Sequence, residues 1–290
     1  MYNYLDCLSC VVRQVAEAER NAGMKESVQI DVMKQVLRTL ADMDMTEGSS
    51  AMVQKVFNVV REVGGVNDPL ENIKSYCMDI ALRAYPELQH TLDESEDRFE
   101  TAVRIAMAGN IIDHHIREDR RLDNLALFRS IEDALSRPLV VDHVDLLEKE
   151  IHKASKILYL ADNAGETVFD RILIEEMPKE RIIYAVKRMP VSTDATIRDA
   201  AMAGLTDLVQ VFVIDTDYPC VFPDKCPEAF QRLFNSADLI IAKGQGNMKA
   251  LSDQDRNIFF LARIRCKVTA AKFKLSVGDF LVKSLKAGDG

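Results

Sequence analysis

One stretch of the sequence indicates the fold more clearly than any other: Ile157-Leu158-Tyr159-Leu160-Ala161-Asp162-Asn163-Ala164-Gly165-Glu166. Its first half is apolar and rich in branched and aromatic side chains, whereas its second half holds two acids, an amide and a glycine. Such a change predicts a buried β-strand that ends in a polar loop. In open α/β sheets, ligands bind at the loops that follow the strands. The stretch therefore predicts a binding site at a strand end.

Two interpretations of the polar half are open at this point. Asp162 and Asn163 offer oxygen ligands of the kind that hard cations prefer. Alternatively, either side chain caps the next helix while Gly165 relaxes the turn. Carboxylates are costly to desolvate without partners, so a bound cation would explain their position after a buried strand. The stretch alone favours neither interpretation.

The same pattern recurs along the second half of the chain. Apolar runs at 182–186, 208–214 and 239–242 each end in polar residues, and 266–270 is a further candidate strand. The segments between these runs have helical character, at 167–177, 194–203, 227–235 and 249–264. Strands that alternate with single helices predict βαβ units and a parallel sheet. The polar strand ends then fall on one edge of the sheet, which favours a binding site.

The first half of the chain has helical periodicity instead. Apolar residues recur at helical spacing, for example Val12, Val15, Val32 and Val36, and 64–69 marks a break between helices. A chain of 290 residues is long enough for two parts. We therefore predict an α/β protein with a helical domain at 1–150 and a metal- and phosphate-binding α/β domain at 151–290.

The polar motifs together resemble those of the damage-control phosphatases, a family of metal-dependent enzymes, and most of all its short prokaryotic branch. The resemblance covers nearly the whole chain. It rests on five motifs: Asp162-Asn163-x-Gly165-Glu166, Lys187-Arg188-x-Pro190 with Asp194 four residues after the proline, Lys243-Gly244-Gln245-Gly246-Asn247, the helical segment 106–113, and Asp6-Cys7-Leu8-Ser9-Cys10. Each motif alone is weak, but their order and spacing together are specific.

This resemblance implies a Rossmann-like three-layer α/β/α domain with an N-terminal helical region packed on it. It implies one divalent ion (manganese, nickel, cobalt or magnesium) held by Asp162, Asn163 and Asp194. Lys243 matches the lysine that contacts phosphate in the family, and Asn110 and Asp113 match helix positions that face the same cleft. The implied activity is hydrolysis of small phosphate monoesters, namely sugar phosphates, phosphopantetheine derivatives or damaged nucleotides. The implied partner is therefore a small phosphorylated metabolite.

The residue types suit this chemistry. A phosphate monoester dianion repels hydroxide, so an enzyme must neutralise its charge and hold a water molecule in line. Two carboxylates and an amide balance the formal charge of a divalent ion but leave it open positions for water and a phosphoryl oxygen, and Lys243 would add a point charge on the phosphate. Backbone N–H groups can approach phosphate at Gly165, Gly244 and Gly246, and Asn247 is a further candidate for binding the substrate. Glu166 and Asp113 are both candidates for the general acid or base, and Glu166 is equally suited to favouring the helix dipole as a first-turn acid.

The sequence departs from the family pattern at several positions. Arg188 and Met189 stand where glycines are usual, and Thr193 stands where an asparagine is usual. Met248 and Lys249 replace an aromatic residue and an acid. The three expected metal ligands are unaffected, so these departures bear on the choice of substrate rather than on metal binding.

Two alternative functions follow from other features. Lys243 and the glycines alone could form a phosphometabolite-binding protein without turnover. Cys7 and Cys10 have the C-x-x-C spacing of redox and iron–sulfur proteins, although positions seven and ten of a helix share one face and simple burial explains them as well.

The composition narrows the remaining classes. A net charge of −9 argues against general nucleic-acid binding. No apolar run approaches the length of a membrane span, and the N-terminus lacks the features of a secretion signal. Six cysteines in such a chain suit a reducing compartment. We therefore expect a cytoplasmic protein that binds neither nucleic acid nor membrane, and the sequence leaves its oligomeric state open.

The helical part should also contribute to the site. Asn110 and Asp113 are three residues apart and so share one helix face within an otherwise apolar run. Polar side chains on a packed face need partners, which a cleft at the sheet edge would supply. The alternative is that both face water. We expect the helical part to form one wall of the active site.

Overall fold

The computed structural model describes residues 4–44, 46–111 and 124–287. It contains α-helices and a single sheet of seven strands. The helices are α1 (Tyr4–Asn21), α2 (Glu26–Ala41), α3 (Ser49–Gly64), α4 (Glu71–Asp93), α5 (Arg98–Ala108), α6 (Asn124–Ser136), α7 (Val144–Lys153), α8 (Glu166–Glu175), α9 (Ile197–Met202), α10 (Glu228–Ser236), α11 (Gly244–Leu251) and α12 (Lys267–Phe273). The strands are β1 (Val141–Asp142), β2 (Ile157–Leu160), β3 (Ile182–Lys187), β4 (Gln210–Ile214), β5 (Leu239–Lys243), β6 (Ile258–Arg263) and β7 (Phe280–Ser284).

The strand order places a topological switch point in the middle of the sheet. The order is β1-β7-β6-β5-β2-β3-β4, and all pairs are parallel except β6 with β7. From β2 the chain builds outward through β3 and β4, and then returns to add β5 and β6 on the other side of β2. A crevice forms where the direction of building reverses, and ligands of such sheets bind there. The predicted mainly parallel α/β fold is confirmed.

Alternate residues of the strands feed two separate hydrophobic cores. Ile157 and Tyr159 pack with helices α4 to α9 on one face, whereas Leu158 and Leu160 pack with α10 to α12 on the other. The strands are therefore buried on both sides, which explains why they read as continuous apolar runs. The result is the three-layer α/β/α arrangement.

The first three helices form a third core of their own. Its buried residues come from α1, α2 and α3, with Met43, Leu70 and, from the loop after β3, Val191. The contact with Val191 places this helical cluster against the loops that follow the strands. The proposed boundary near residue 150 stays a prediction; α4 to α7 pack directly on the sheet, and β1, which precedes that boundary, pairs with β7.

Two predicted elements near the C-terminus are wrong. The segment 249–264 is not one helix, because α11 ends at Leu251 and 258–263 is strand β6. Its apolar run is buried between β5 and β7, and a short run of this kind has no periodicity that separates a strand from a buried helix. The predicted strand 266–270 is the start of α12, where the Cys266 side chain caps the helix by accepting a hydrogen bond from the backbone N–H of Thr269.

Candidate active site

A cavity of about 150 Å³ lies at the carboxyl ends of strands β2 to β6, beside the switch point between β2 and β5. Loops after all five of these strands line it, together with helices α1 and α3. The lining residues are Gln14, Ser49, Ser50, Val53, Asp162, Asn163, Ser192, Thr193, Asp194, Pro219, Cys220, Gln245, Gly246, Lys249 and Arg265. The three expected metal ligands are among them.

Main-chain hydrogen bonds hold the first two polar motifs together. The backbone N–H of Ala195 donates to the carbonyl of Asp162 (3.0 Å), and that of Ala164 donates to the carbonyl of Thr193 (2.9 Å). Asn163 and Asp194 thereby face each other as an antiparallel bridge. Neither Asp162 nor Asn163 caps the next helix, since α8 begins at Glu166 and its N-cap residue, Gly165, comes without a side-chain cap hydrogen bond. The capping interpretation is therefore wrong.

The Asn163 amide is held in one orientation. Its nitrogen donates to Oε1 of Glu166, and its oxygen accepts a hydrogen bond from the Thr193 hydroxyl at 2.6 Å. Asp194 is fixed as well, because its Oδ2 accepts from the backbone N–H of Val191 (2.9 Å) and the Lys187 ammonium lies 3.5 Å from its Oδ1. Contacts within the protein thus hold two of the three expected oxygen ligands in place.

The carboxylates of Asp162, Glu166 and Asp194 lie close enough to one another that the nearby cations do not fully offset their repulsion. Burial raises the pKa of Asp162 to about 8, and the negative charges of Glu166 and Asp194 add to the rise, while the positive charges of Arg265 and Lys243 oppose it. Like charges this close disfavour ionisation. A cation between the carboxylates would favour their ionised forms.

The donor set fits a hard divalent ion. Asp162, Asn163 and Asp194 present carboxylate and amide oxygens at one cavity, as Mg²⁺ or Mn²⁺ requires. No cluster of three His, Cys, Asp or Glu side chains in the described ranges has the arrangement of a metal site, so the amide of Asn163 is needed to complete the set. The identity of the ion stays a prediction.

Gly244 makes room for the Asp162 carboxylate. Its φ of 81° lies in the left-handed region, and a Cβ at this position would stand 1.8 Å from Oδ2 of Asp162. No L-residue with a side chain fits there without moving this carboxylate. The glycine therefore matters for the position of a ligand, in addition to any approach of its N–H to phosphate.

We expect Gly244→Ala to lower the affinity for a divalent ion by at least about tenfold, because a displaced Asp162 is a poorer ligand. Isothermal titration of Mn²⁺ into the metal-free protein measures this. Gly246→Ala is the matched control, since its Cβ would meet only the Cys220 sulfur, at 3.0 Å. Equal Mn²⁺ affinity in Gly244→Ala and the wild type would show that Asp162 is not a ligand.

Glu166 lies at the centre of a buried polar network behind the cavity. Its Oε2 accepts hydrogen bonds from the Asn110 amide (2.5 Å) and the Lys243 ammonium (3.2 Å), and its Oε1 accepts from Asn163. Its side chain is fully buried and does not line the cavity. Glu166 thus touches a proposed ligand without reaching the cavity itself.

The structure corrects the expected orientation of Lys243. Its ammonium is fully buried and bound to Oδ1 of Asp170 (2.5 Å), to Glu166 and to the carbonyl of Ala106 (2.8 Å). Burial alone would lower the pKa of Lys243, but the charges of Asp170 and Glu166 outweigh burial and raise it. Two buried carboxylates attract the cation away from the cavity, so a direct contact with phosphate stays a prediction that this geometry does not support.

The other predicted phosphate contacts are divided between the cavity wall and the interior. Gly246 lines the cavity, whereas Gly165 and Gly244 are buried at the first turns of α8 and α11. The Asn247 side chain is buried and bound to main chain: it accepts from Val221 (3.0 Å) and donates to the carbonyls of Lys243 (2.9 Å) and Ala161 (3.3 Å). Asn247 therefore shapes the loop instead of facing a ligand.

The helical part of the chain contributes directly to the site. Asn110 is fully buried and connects α5 to Glu166, and its side-chain oxygen has no hydrogen-bond partner among the described residues. Gln14, Ser49 and Ser50 line the cavity from α1 and α3. Asp113 lies outside the described residues, so its predicted role stays a prediction.

Several cavity residues carry no signal in the sequence motifs. Arg265 follows β6, which the sequence pattern predicts as part of a helix, and Lys249 lies on α11. Ser49 and Ser50 begin helix α3 and lie outside all five motifs. Lys249 was visible only as a departure from the family pattern. Pro219 and Cys220, from the segment after β4, also line the cavity.

The cysteine pair lies on α1. Cys7 and Cys10 are both half-buried, and the Cys10 sulfur accepts a hydrogen bond from Gln14 (3.2 Å). Burial raises the pKa of the Cys7 thiol, and Lys249 opposes the rise. The redox and iron–sulfur interpretation stays a hypothesis.

Comparison with known proteins assigns the family. The model of the damage-control phosphatase ARMT1-like domain matches residues 4–281. The chain belongs to this family. The match spans both the helical part and the α/β part, as the sequence motifs indicated, and family membership supports a phosphatase role in metabolite repair.

The relatives are archaeal and match over nearly their full length. The chain is 33% identical to an uncharacterized protein of Methanocaldococcus jannaschii (94% of this chain, 92% of the relative) and 31% identical to a damage-control phosphatase of Pyrococcus horikoshii (94% of each). The crystal structure of a DUF89 family protein from Pyrococcus horikoshii superimposes with a TM-score of 0.86 at 28% identity, covering 99% of this chain and 100% of that one.

Among the helices that the structure describes, none is long and apolar enough to cross a membrane.

Proposed function

We propose that this protein is a metal-dependent phosphatase that hydrolyses small phosphate monoesters, with a phosphorylated metabolite as its substrate. The observation that carries the proposal is the convergence of Asp162, Asn163 and Asp194 with Arg265 on one cavity. Hard oxygen ligands beside an arginine are what a divalent ion and a phosphoryl group need together. The family supports the phosphatase class, and the monoester specificity and the metal are part of the proposal.

When bound, a divalent ion would supply Lewis-acid charge and a water of lowered pKa. The protein supplies the rest. Arg265 can donate to phosphoryl oxygens from the wall of the cavity, and planar donors suit this task. Gly246 lets the start of α11 approach the same oxygens.

Glu166 acts in this proposal as a positioning residue. It is buried behind the cavity and holds the Asn163 nitrogen, so the amide oxygen stays available as a ligand. Asn110 and Lys243 hold Glu166 in turn. Loss of a hydrogen bond that holds a metal ligand typically lowers metal affinity or activity by about 10–100-fold.

A screen of phosphate esters tests the proposal. The purified protein is freed of metal with EDTA, supplied in turn with Mn²⁺, Ni²⁺, Co²⁺ and Mg²⁺, and incubated with sugar phosphates, phosphopantetheine and nucleoside monophosphates. We expect phosphate release that requires one of the ions and stops again with EDTA. No release under any condition, together with tight binding of a phosphorylated compound, would favour a binding protein without turnover.

A further inference from the structure

Three basic side chains lie along the cavity and the space that adjoins it. They are Lys249, Arg265 and Lys272, all partly buried. Within the described part of the chain, none of the three forms an ion pair with a carboxylate, whereas the buried Lys74, Lys187 and Lys243 all do. The protein carries a net charge of −9, so acids are in excess. Unpaired cations beside a cavity in such a protein indicate a site for anions.

A second cavity of about 210 Å³ adjoins the first. The two share Ser49, Ser50 and Lys249, so Lys249 stands at their junction. The other residues of this adjoining cavity are Glu47, Gly48, Phe222, Val268 and Lys272. Glu47 is its one carboxylate among the described residues, and Glu47 is already paired with Lys55 at 2.7 Å. The adjoining cavity thus retains a net positive charge.

The basic residues lie at different distances from the proposed metal ligands. Arg265 is close to Asp162, whose carboxyl pKa it lowers, and its Nη1 donates to the carbonyl of Asn110 at 3.2 Å. Lys249 points toward α3, with its ammonium 3.5 Å from the Ser49 hydroxyl. Lys272 donates to the Lys249 carbonyl (3.4 Å) and to Ser252 (3.1 Å), which places it beyond Lys249. Arg265 is therefore placed to bind the reacting phosphate, whereas Lys249 and Lys272 are placed to bind a more distant group.

We propose that Lys249 and Lys272 form a second anion subsite, so that the preferred substrate is a phosphate monoester with a second anionic group, either phosphate or carboxylate. This inference rests on the proposed phosphatase function. The reacting phosphate lies at Asp162, Asn163 and Asp194 with Arg265. The remainder of the substrate crosses the junction beside Ser49, and its second anion lies in the adjoining cavity.

Three esters of one sugar skeleton test this subsite. Glucose 6-phosphate has a single anionic group, 6-phosphogluconate adds a carboxylate, and glucose 1,6-bisphosphate adds a phosphate. With the wild type and the most effective metal ion, we expect kcat/KM for at least one of the doubly anionic esters to exceed that for glucose 6-phosphate about tenfold, a typical factor for one charge-assisted contact. The ester that gains shows which anion the subsite takes.

Substitutions locate the preference. Lys249→Gln should reduce the ratio between doubly and singly anionic esters at least about fivefold, and Lys249→Arg should preserve most of it, since the charge remains. Lys267→Gln is the control, because Lys267 is an exposed lysine of α12 that lines neither cavity. Thermal unfolding of each variant verifies that the fold is retained.

Binding to the metal-free protein gives a second readout. Isothermal titration with the same three compounds should show the same order of affinities, and Lys249→Gln should remove the difference. Equal affinities and equal kcat/KM values for all three esters in the wild type, or a preference that survives in Lys249→Gln, would overturn the inference. Absence of turnover with every ester and ion would contradict the proposed function instead, and the titrations alone would then decide on the subsite.

Discussion

Replacing Asp194 with asparagine should lower kcat/KM for phosphate esters at least about 10³-fold, since a ligand charge that holds the ion and its Lewis acidity is lost. The substitution keeps the shape of the side chain, and an amide oxygen can still accept the hydrogen bond from Val191. The free energy of unfolding should therefore fall by less than about 2 kcal/mol. Initial rates at saturating Mn²⁺, together with urea unfolding, measure the two effects separately.

Asp215→Asn is the matched control. Asp215 also follows a parallel strand of the same sheet, but it is exposed, pairs with Arg188 at 3.0 Å and does not line the cavity. It should retain the activity of the wild type. If Asp194→Asn keeps activity within tenfold of the wild type at unchanged Mn²⁺ affinity, Asp194 is not a ligand and the proposed site is wrong.

Lys243→Met should destabilise the protein by about 3–5 kcal/mol, which is the usual effect of removing one partner from a buried ion pair. Methionine fills a similar volume, but Asp170 and Glu166 then lack their buried cation. Loss of activity should follow, because Glu166 positions Asn163. Lys153→Met, which removes an exposed ion pair with Glu150, should change stability far less.

The pH dependence of stability identifies why Lys243→Met destabilises the protein. Burial raises the pKa of the Asp170 carboxyl, and Lys243 opposes the rise. Without Lys243 this pKa rises further, so the folded variant holds a proton that the unfolded chain releases above about pH 4. Stability of the variant should then fall as pH increases, and its deficit relative to the wild type should be smallest near pH 4. A deficit that does not change with pH would indicate lost packing instead of an unpaired charge.

The strand pattern predicted that the polar segments after β2 and β3 share one edge of the sheet, because both follow parallel strands, and the resemblance to the family singled out Asp162, Asn163 and Asp194 within them. The sequence did not predict the position of the Lys243 ammonium, although the alternation of side chains in β5 contains the information. Leu239 and Ile241 face the helices α4 to α9, and position 243 has the same parity. Lys243 accordingly reaches into that layer and not into the cavity.

Other parts of the site had no local signal. Ser49 and Ser50 enter the cavity because the cluster of α1 to α3 packs on the loop that holds Val191, and this long-range contact leaves no trace in a short motif. Arg265 was missed because the apolar run of β6 lacks a periodicity that distinguishes strand from helix. The resemblance to the family indicated a phosphatase, whereas tertiary packing determined which basic residues line the cavity.

The cavity described above is assembled from side chains as far apart in the chain as Gln14 and Arg265. An unfolded polypeptide cannot bring such positions together, so the divalent ion of the proposed function would bind to the native state alone. Binding of the ion then stabilises the folded protein. Above the dissociation constant, each tenfold increase in the free concentration of the ion should add about 1.4 kcal/mol to the free energy of unfolding. In a cell, depletion of the metal would therefore shorten the lifetime of the protein as well as remove its activity, because proteases act on the unfolded fraction.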